Sequence, residues 1–154
     1  GVASFAIQLA KHIGAYVIST TSAGNVDYVK GLGADEVIDY NAQDFREVVS
    51  DCDAVFDTVG GDVAKGAFDV LKRGGRAAFI ASGGNGVESP SSDFISLRPN
   101  VYRDRPHLER VVELIEAGAV TAPAVKLFSL DETIEAQKLS QSRHFRGKLV
   151  FNFR

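Results

Sequence analysis

The chain has 154 residues, enough for one ordinary domain, and hydrophobic residues make up 45% of it, which excludes a disordered chain. Its net charge of −3, without a dense basic cluster, argues against nucleic acid as a partner, and no apolar run reaches the ~20 residues of a membrane span. The single cysteine, Cys52, excludes an intrachain disulfide and a zinc site built on cysteines, and it favours a reducing compartment such as the cytoplasm.

A helix over residues 2–13 is the first element that the sequence predicts, because apolar residues recur there at helical spacing. Gly1 precedes this helix and a strand over 15–20 follows it. A glycine that opens a helix beside a parallel strand is typical of the second half of a dinucleotide-binding unit, in which backbone N–H groups and the helix dipole bind a pyrophosphate. We therefore predict that Gly1 and Val2 contact a pyrophosphate, although a glycine that simply caps a helix would give the same pattern.

The strand and glycine-rich turn that open such a unit have no counterpart before Gly1. We therefore expect a fragment whose sheet lacks its first, central strand, and a targeting segment could have been lost with that strand. Strands 15–20 and 53–58 would then face each other with unpaired backbone groups, which are costly when buried. We expect the gap to be closed by direct pairing of these strands, by strand 148–153 or by a second copy of the chain. Of these, some form of self-association is favoured.

Apolar strands and amphipathic helices alternate along the rest of the first half of the chain. The strands are 36–39, 53–58 and 76–81, and the helices are 25–32, 43–50 and 62–72. This alternation predicts an α/β fold with a doubly wound parallel sheet. After a Gly-, Ser- and Pro-rich loop over 82–92, the pattern changes to helix 105–117, extended segment 124–129, helix 131–142 and strand 148–153.

Three hydroxyl residues at the end of strand 15–20 bear on which nucleotide is bound. An acidic residue at this place binds the ribose hydroxyls of NAD, but the chain has Thr20, Thr21 and Ser22. Because a carboxylate would repel a 2′-phosphate and hydroxyl groups accept one, we favour NADP(H), with a local Ser/Thr turn as the alternative. Tyr40, which follows strand 36–39, either brings its phenol to the same phosphate or is a half-buried aromatic residue at the end of a strand.

Glycines follow the next two strands, at Gly60-Gly61 and Gly83-Gly84. In open α/β sheets ligands bind at the carboxyl ends of the strands, and glycines there let the backbone approach a ribose or a nicotinamide. Asp57 ends the first of these two strands. We expect its carboxylate to bind N–H groups of the following loop rather than to act as a catalytic acid.

No catalytic residue and no metal-ligand set are predicted within the chain. The three histidines, His12, His107 and His144, are far apart in different elements, and no Ser-His-Asp order is recognisable. Cys52 lies between two aspartates, which raise its pKa and make a nucleophilic role unfavourable.

Four segments follow one another along the chain in a specific combination. They are Gly-Val-Ala-Ser-Phe-Ala-Ile-Gln-Leu-Ala-Lys (1–11), Leu-Gly-Ala-Asp-Glu-Val-Ile-Asp-Tyr (32–40), Asp-Ala-Val-Phe-Asp-Thr-Val-Gly-Gly (53–61) and Arg-Gly-Lys-Leu-Val-Phe (146–151). Together they resemble the medium-chain dehydrogenase/reductase superfamily, and most closely its zinc-independent quinone oxidoreductase branch. The resemblance implies a Rossmann-type cofactor domain over 1–118, with 119–154 as the returning α+β piece of a GroES-like substrate domain.

The resemblance also implies an activity, the NADPH-dependent reduction of quinones or enones (α,β-unsaturated carbonyl compounds) by hydride transfer. It implies that Gly1 and Val2 contact the pyrophosphate, Ser22 and Tyr40 the adenosine phosphate, and Val59, Gly60, Ser82 and Gly83 the ribose and nicotinamide. No side chain of the chain would be the essential proton donor. The alternative hypothesis is a non-catalytic nucleotide-binding or partner-binding module, inactive by itself.

Overall fold

The structure is a computed structural model and describes residues 1–81, 86–142 and 145–153. The helices are α1 (Val2–His12), α2 (Val26–Gly31), α3 (Phe45–Val48), α4 (Gly61–Lys65), α5 (Arg105–Glu116) and α6 (Thr133–Ser142). The strands are β1 (Ile18–Thr21), β2 (Glu36–Asp39), β3 (Cys52–Asp57), β4 (Leu71–Phe79), β5 (Ile95–Leu97), β6 (Val125–Phe128) and β7 (Lys148–Phe151). Three short 3-10 turns join them, at Ala23–Asn25, Gly66–Phe68 and Leu130–Glu132. Within the described ranges, no helix has the length and apolar character needed to cross a membrane.

The strands pair in three small parallel sheets. Thr21 of β1 lies opposite Asp39 of β2 at the carboxyl ends of that pair. β4 lies between β3 and β5, with Asp57 opposite Phe79 where β3 and β4 end. β6 and β7 form the third sheet. The α/β fold with parallel strands that the sequence predicts is confirmed, but its strands form separate sheets rather than one continuous sheet.

Two of the helices are shorter than their sequence patterns predict. Segment 43–50 forms only α3, which ends because Val49 is extended, with φ −115° and ψ 135°, a conformation that suits a β-branched residue. Segment 62–72 is divided into α4, a 3-10 turn and the first residues of β4. By contrast, Gly14 and Gly33 end α1 and α2 with φ of +84° and +102°, as expected of glycines that follow a helix.

Strand β4 begins five residues earlier than the sequence pattern predicts, at Leu71 rather than 76. Cys52 of β3 is paired with Leu71, but Ala54, only two residues later, is paired with Arg76. The extra residues of β4 form an irregular stretch that contains Gly75, where an added Cβ would lie 2.8 Å from the carbonyl oxygen of Lys72. Gly75 therefore accommodates an irregularity inside the strand.

Two hydrophobic clusters pack against the β3-β4-β5 sheet and the β1-β2 sheet. The first surrounds β4 and includes Phe68 and Phe79, whose ring centroids are 5.6 Å apart, together with Ala77, which is fully buried. The second joins α1 to α2 through Ile7 and Val29. Burial of these apolar groups is the main force that keeps each sheet against its helices.

Strands β1 and β3 do not pair with each other. Among the described residues β1 pairs only with β2, β3 pairs only with β4, and β7 pairs with β6. Direct closure of the gap and entry of residues 148–153 are therefore both wrong. Phe56 in the middle of β3 is 43% exposed, although the sequence predicts a strand covered on both faces. Within one copy of the chain, the described residues leave this edge of β3 unpaired.

The side-chain amide of Gln8 in α1 binds Thr121 in the C-terminal part of the chain. The Oε1 atom of Gln8 accepts hydrogen bonds from the backbone N–H of Thr121 at 2.8 Å and from its hydroxyl group at 2.9 Å. Val120, next to this contact, is 3% exposed. A cavity of about 150 Å³ lies beside it, between α1, α2 and residues 121–124. This volume is below the ~300–1,000 Å³ of ligand pockets, so we assign the cavity to the packing of residues 121–124 against α1 and α2.

Candidate functional site

The carboxyl ends of β1 and β2 form the first part of the candidate site. The backbone N–H of Tyr40 donates to the carbonyl oxygen of Thr21 at 3.0 Å, which brings together the two strand ends that the sequence assigned to an adenosine phosphate. Tyr40 is 59% exposed, so it is not the half-buried aromatic residue of the alternative interpretation. The carboxylate of Asp39, opposite Thr21, accepts at Oδ1 from the backbone N–H of Asn41 at 3.0 Å.

Ser22 begins the 3-10 turn that follows β1. It is half-buried and extended, with φ −83° and ψ 155°, and its carbonyl oxygen accepts from the backbone N–H of Asn25 at 2.9 Å. The side-chain amide nitrogen of Asn25 lies 3.1 Å from the Oγ atom of Ser22. The backbone carbonyl of Ser22, rather than its hydroxyl group, closes this turn, and the turn presents Ser22 at the end of the strand.

A cation from the other end of the chain reaches this turn. Arg146 donates from Nε to the Oδ1 atom of Asn25 at 2.7 Å and from Nη2 to the carbonyl oxygen of Gly24. Its guanidinium carbon lies 5.4 Å from the centroid of the Tyr28 ring, within the range of a cation–π interaction. Sequence reasoning missed this group because the two residues are 121 positions apart. The sequence shows only that positions 23–25 carry no basic residue.

The N-terminus of α1 is the second part of the candidate site. Its first turn contains no acidic residue, and the Ser4 hydroxyl group donates to the carbonyl oxygen of Gly1 at 2.7 Å. Val2 is 56% exposed, so the first turn faces solvent. Lys11 and His12 lie in the last turn, where positive charge complements the helix dipole. The free N–H groups and the dipole at the start of α1 suit an anion.

The loop after β3 is the third part, and Asp57 organises it. The carboxylate of Asp57 accepts from the backbone N–H of Gly60 at 2.9 Å and from that of Val59 at 3.3 Å, and the residue is 6% exposed. These bonds confirm the prediction that Asp57 binds the loop. They also orient Val59 outward, with 66% of its surface exposed.

Gly60 lets this loop touch the end of β4. It has φ +81°, and an added Cβ would lie 2.7 Å from the carbonyl oxygen of Ala81. Only glycine permits both this conformation and this backbone contact. Ser82 and Gly83, which the sequence places next along the same edge, lie outside the described residues.

The remaining candidates have structural partners. Asp104 caps α5 by accepting from the backbone N–H of His107 at 3.1 Å, and Nδ1 of His107 lies 2.6 Å from the same Oδ1 atom. The His107 ring stacks on Tyr102 with ring centroids 5.0 Å apart. Burial, and then the neighbouring Asp53 and Asp51, raise the pKa of the Cys52 thiol, which is the direction that the sequence predicts and which disfavours the thiolate form. His144 lies outside the described residues. Within the described part of the chain, no cluster of three or more His, Cys, Asp or Glu residues could hold a metal ion.

Comparison with known proteins shows the family to which the chain belongs. Residues 32–151 match the family model described as zinc-binding dehydrogenase. The chain is 31% identical over 157 residues to 2-methylene-furan-3-one reductase of Solanum lycopersicum, a match that covers 99% of this chain and 38% of that protein. It is 30% identical over 155 residues to the chloroplastic NADPH-dependent alkenal/one oxidoreductase of Arabidopsis thaliana, covering 97% of this chain and 37% of that protein.

A solved structure shows the same fold. The quinone oxidoreductase from Coxiella burnetii superposes with a TM-score of 0.81 at 30% sequence identity, over 100% of this chain and 50% of that one. The chain thus spans half or less of the length of these three proteins. The family model covers most of the chain, including three of the four sequence motifs, 32–40, 53–61 and 146–151. The chain therefore belongs to the zinc-binding dehydrogenase family, in the quinone oxidoreductase-like branch of the medium-chain dehydrogenase/reductase superfamily.

Proposed function

We propose that the chain is the cofactor-binding part of an NADPH-dependent oxidoreductase that reduces quinones or enones by hydride transfer. The observation that carries this proposal is the turn after β1, where Ser22 stands in place of the carboxylate that selects NAD. Arg146 binds the same turn through Asn25 and Gly24. A serine hydroxyl held in such a turn suits a 2′-phosphate, because it can donate a hydrogen bond to an ionised oxygen.

The residues present fit the rest of the nucleotide. The N-terminus of α1, with Gly1 and Val2, would bind the pyrophosphate, because its first turn is exposed and contains no acidic residue. Tyr40, with Thr21 beside it, would contact the adenosine phosphate from the end of β2. The loop with Val59 and Gly60 would lie along the ribose and nicotinamide, since Asp57 holds it close to the end of β4. From the sequence alone, we propose that Ser82 and Gly83 also contact the ribose and nicotinamide.

The bound nicotinamide supplies the hydride in this class of enzyme. The chain's own task is to hold the nucleotide at three points so that one face of the ring meets the acceptor. Residues 1–118 would form the cofactor domain, and 119–154 would return to a substrate domain. The contacts of Thr121 with Gln8 and of Arg146 with Asn25 support a fixed arrangement of the two parts.

We also propose that the chain self-associates and that it works in a reducing compartment. Self-association is supported by the exposed Phe56 and by the edges of β1 and β3, which pair with no further strand among the described residues. Light scattering on the purified chain would detect it as a mass above that of one copy.

The single cysteine supports a reducing compartment such as the cytoplasm, although the Arabidopsis relative is named as chloroplastic.

A turnover assay tests the proposed activity. The chain and the full-length protein that contains it would each be mixed with NADPH and one acceptor: benzoquinone, a naphthoquinone or methyl vinyl ketone. Oxidation of NADPH would be followed by absorbance. We expect turnover by the full-length protein with at least one acceptor. NADPH binding without turnover of any acceptor would instead support the alternative, a nucleotide-binding module.

A further inference from the structure

We propose that Arg146 is a positioning residue that makes Ser22 a hydrogen-bond donor toward a 2′-phosphate, and so sets the preference for NADPH over NADH. The proposal rests on the proposed function, since it concerns the nucleotide assigned to this site. Its structural basis is a chain of two hydrogen bonds that runs from Arg146 through Asn25 to Ser22.

The chemistry of the arginine fixes the orientation of the Asn25 amide. A guanidinium group has N–H donors and no acceptor, so only the carbonyl oxygen of Asn25 can face it, and the Nε–Oδ1 distance is 2.7 Å. The NH₂ group of Asn25 must then face the other way, toward the Oγ atom of Ser22 at 3.1 Å. The usual ambiguity between the oxygen and nitrogen of an asparagine side chain is resolved by the partner.

This orientation decides what Ser22 can do. Because Ser22 Oγ accepts from Asn25, its own proton is not used in that bond and is available for a second acceptor. A phosphate oxygen is a strong acceptor with no proton to give when fully ionised. If the amide of Asn25 were reversed, the serine would donate to it and would present only lone pairs to the phosphate, which would repel it.

Three contacts keep Arg146 in place for this role. Besides Asn25, the guanidinium donates to the carbonyl oxygen of Gly24, and it lies over the ring of Tyr28. These contacts come from the backbone of the turn and from α2, so the arginine is attached to the nucleotide-binding half of the chain, although it directly precedes the glycine before β7. The C-terminal segment would therefore take part in choosing the nucleotide.

The test is a double-mutant cycle between Arg146 and Ser22, read as dissociation constants for NADPH and NADH by fluorescence titration. Arg146→Met removes every donor but keeps most of the stem. We expect it to raise the Kd for NADPH about tenfold and to leave that for NADH within about twofold. In the Ser22→Ala background, Arg146→Met should raise the NADPH Kd no more than about twofold further, because its effect passes through Ser22. Lys148→Met, with the same loss of charge two residues away, is the matched control and should change neither constant.

Several outcomes would overturn the proposal. Equal losses for both nucleotides would make Arg146 a merely structural residue, and additive effects in the cycle would mean that it does not act through Ser22. If Arg146→Met does not fold, as judged by thermal unfolding, Arg146→Lys takes its place. It should weaken NADPH alone by about threefold, because one ammonium group cannot reproduce both bonds, and an unchanged Kd would contradict the proposal. A wild-type chain that does not prefer NADPH would overturn the proposed function first, whereas a preference that survives Arg146→Met overturns this inference alone.

Discussion

Lys11 and Asp35 form an ion pair, with 2.8 Å between Nζ and Oδ2, that ties helix α1 to the residue before strand β2. The same carboxylate accepts from the backbone N–H of Val17 at 2.7 Å. Asp35→Ala should therefore lower the melting temperature by a few degrees, because it removes the partner of both groups. Asp62→Ala is the control, since Asp62 binds the exposed Lys65, three residues later in α4, and no other side chain among the described residues. Equal shifts in melting temperature for the two variants, measured by calorimetry, would show that the Asp35 contacts stabilise the chain no more than an exposed ion pair does.

Acid should weaken the fold through carboxyl groups whose pKa is lowered in the native state. Hydrogen bonds from the side chain and then the backbone of Arg46 hold the pKa of Asp44 at about 2, against its ordinary 3.8. Hydrogen bonds from Lys11 and then from Val17 lower the pKa of Asp35. As the pH falls, these carboxyl groups take up protons in the unfolded chain before they do so in the folded chain. The stability that they give the folded chain is therefore complete above about pH 5 and is lost as the pH falls toward about 2.

Asp44→Asn provides the comparison for this pH dependence. Its melting temperature should lie below that of the wild type at neutral pH. The difference should shrink as the pH falls and vanish near about pH 2. Thermal unfolding followed by circular dichroism would measure both curves. Parallel curves for the two proteins would mean that Asp44 does not titrate with a lowered pKa.

Asp57 should be required for stability rather than for chemistry. Asp57→Ala leaves the backbone N–H of Gly60 without its partner beside a buried position, which should cost about 1–3 kcal/mol of unfolding free energy. Asp57→Asn keeps one acceptor oxygen and should cost less. Urea unfolding would measure both, with the exposed Asp53→Ala as a control for loss of charge. If Asp57→Ala were as stable as Asp53→Ala, the loop would not depend on this carboxylate.

Gly60 should tolerate no side chain. An alanine there would be strained at φ +81°, and its Cβ would meet the carbonyl oxygen of Ala81 at 2.7 Å, so Gly60→Ala should destabilise the chain by roughly 1–3 kcal/mol. Gly61 also has a positive φ, +62°, but nothing lies within 4 Å of the added Cβ. Gly61→Ala therefore separates strain from steric contact and should cost less in urea unfolding. The reverse order would contradict the close approach of the two loops.

Much of the fold was predictable because its signals are local. Apolar runs and the glycines after α1 and α2 determine the order of helices and strands, and the bonds from Asp57 to Val59 and Gly60 span only two or three residues. The separation into sheets was not predictable in this way, because pairing depends on which strands meet in space. Strand β5 was missed because three residues carry too short a pattern.

In the candidate site, too, the residues set by local patterns were predictable and a contact between distant parts of the sequence was not. Ser22 and Tyr40 were placed at strand ends by local patterns, and the structure brings their strand ends together. The contact between Arg146 and Asn25 joins distant parts of the sequence, and no spacing rule connects them. A cation near the turn could be found only once the C-terminal segment had been folded back onto α1 and α2.

The most direct test of the account is the nucleotide preference of the chain before and after Ser22→Asp, measured by fluorescence titration with NADPH and NADH. The wild type should bind NADPH more tightly. An aspartate would place a negative charge against the 2′-phosphate, so the variant should lose NADPH affinity by about tenfold or more while NADH changes by at most about threefold. Equal affinities for both nucleotides in the wild type and in the variant would contradict the assignment of Ser22 and, with it, the proposed NADPH-dependent reductase.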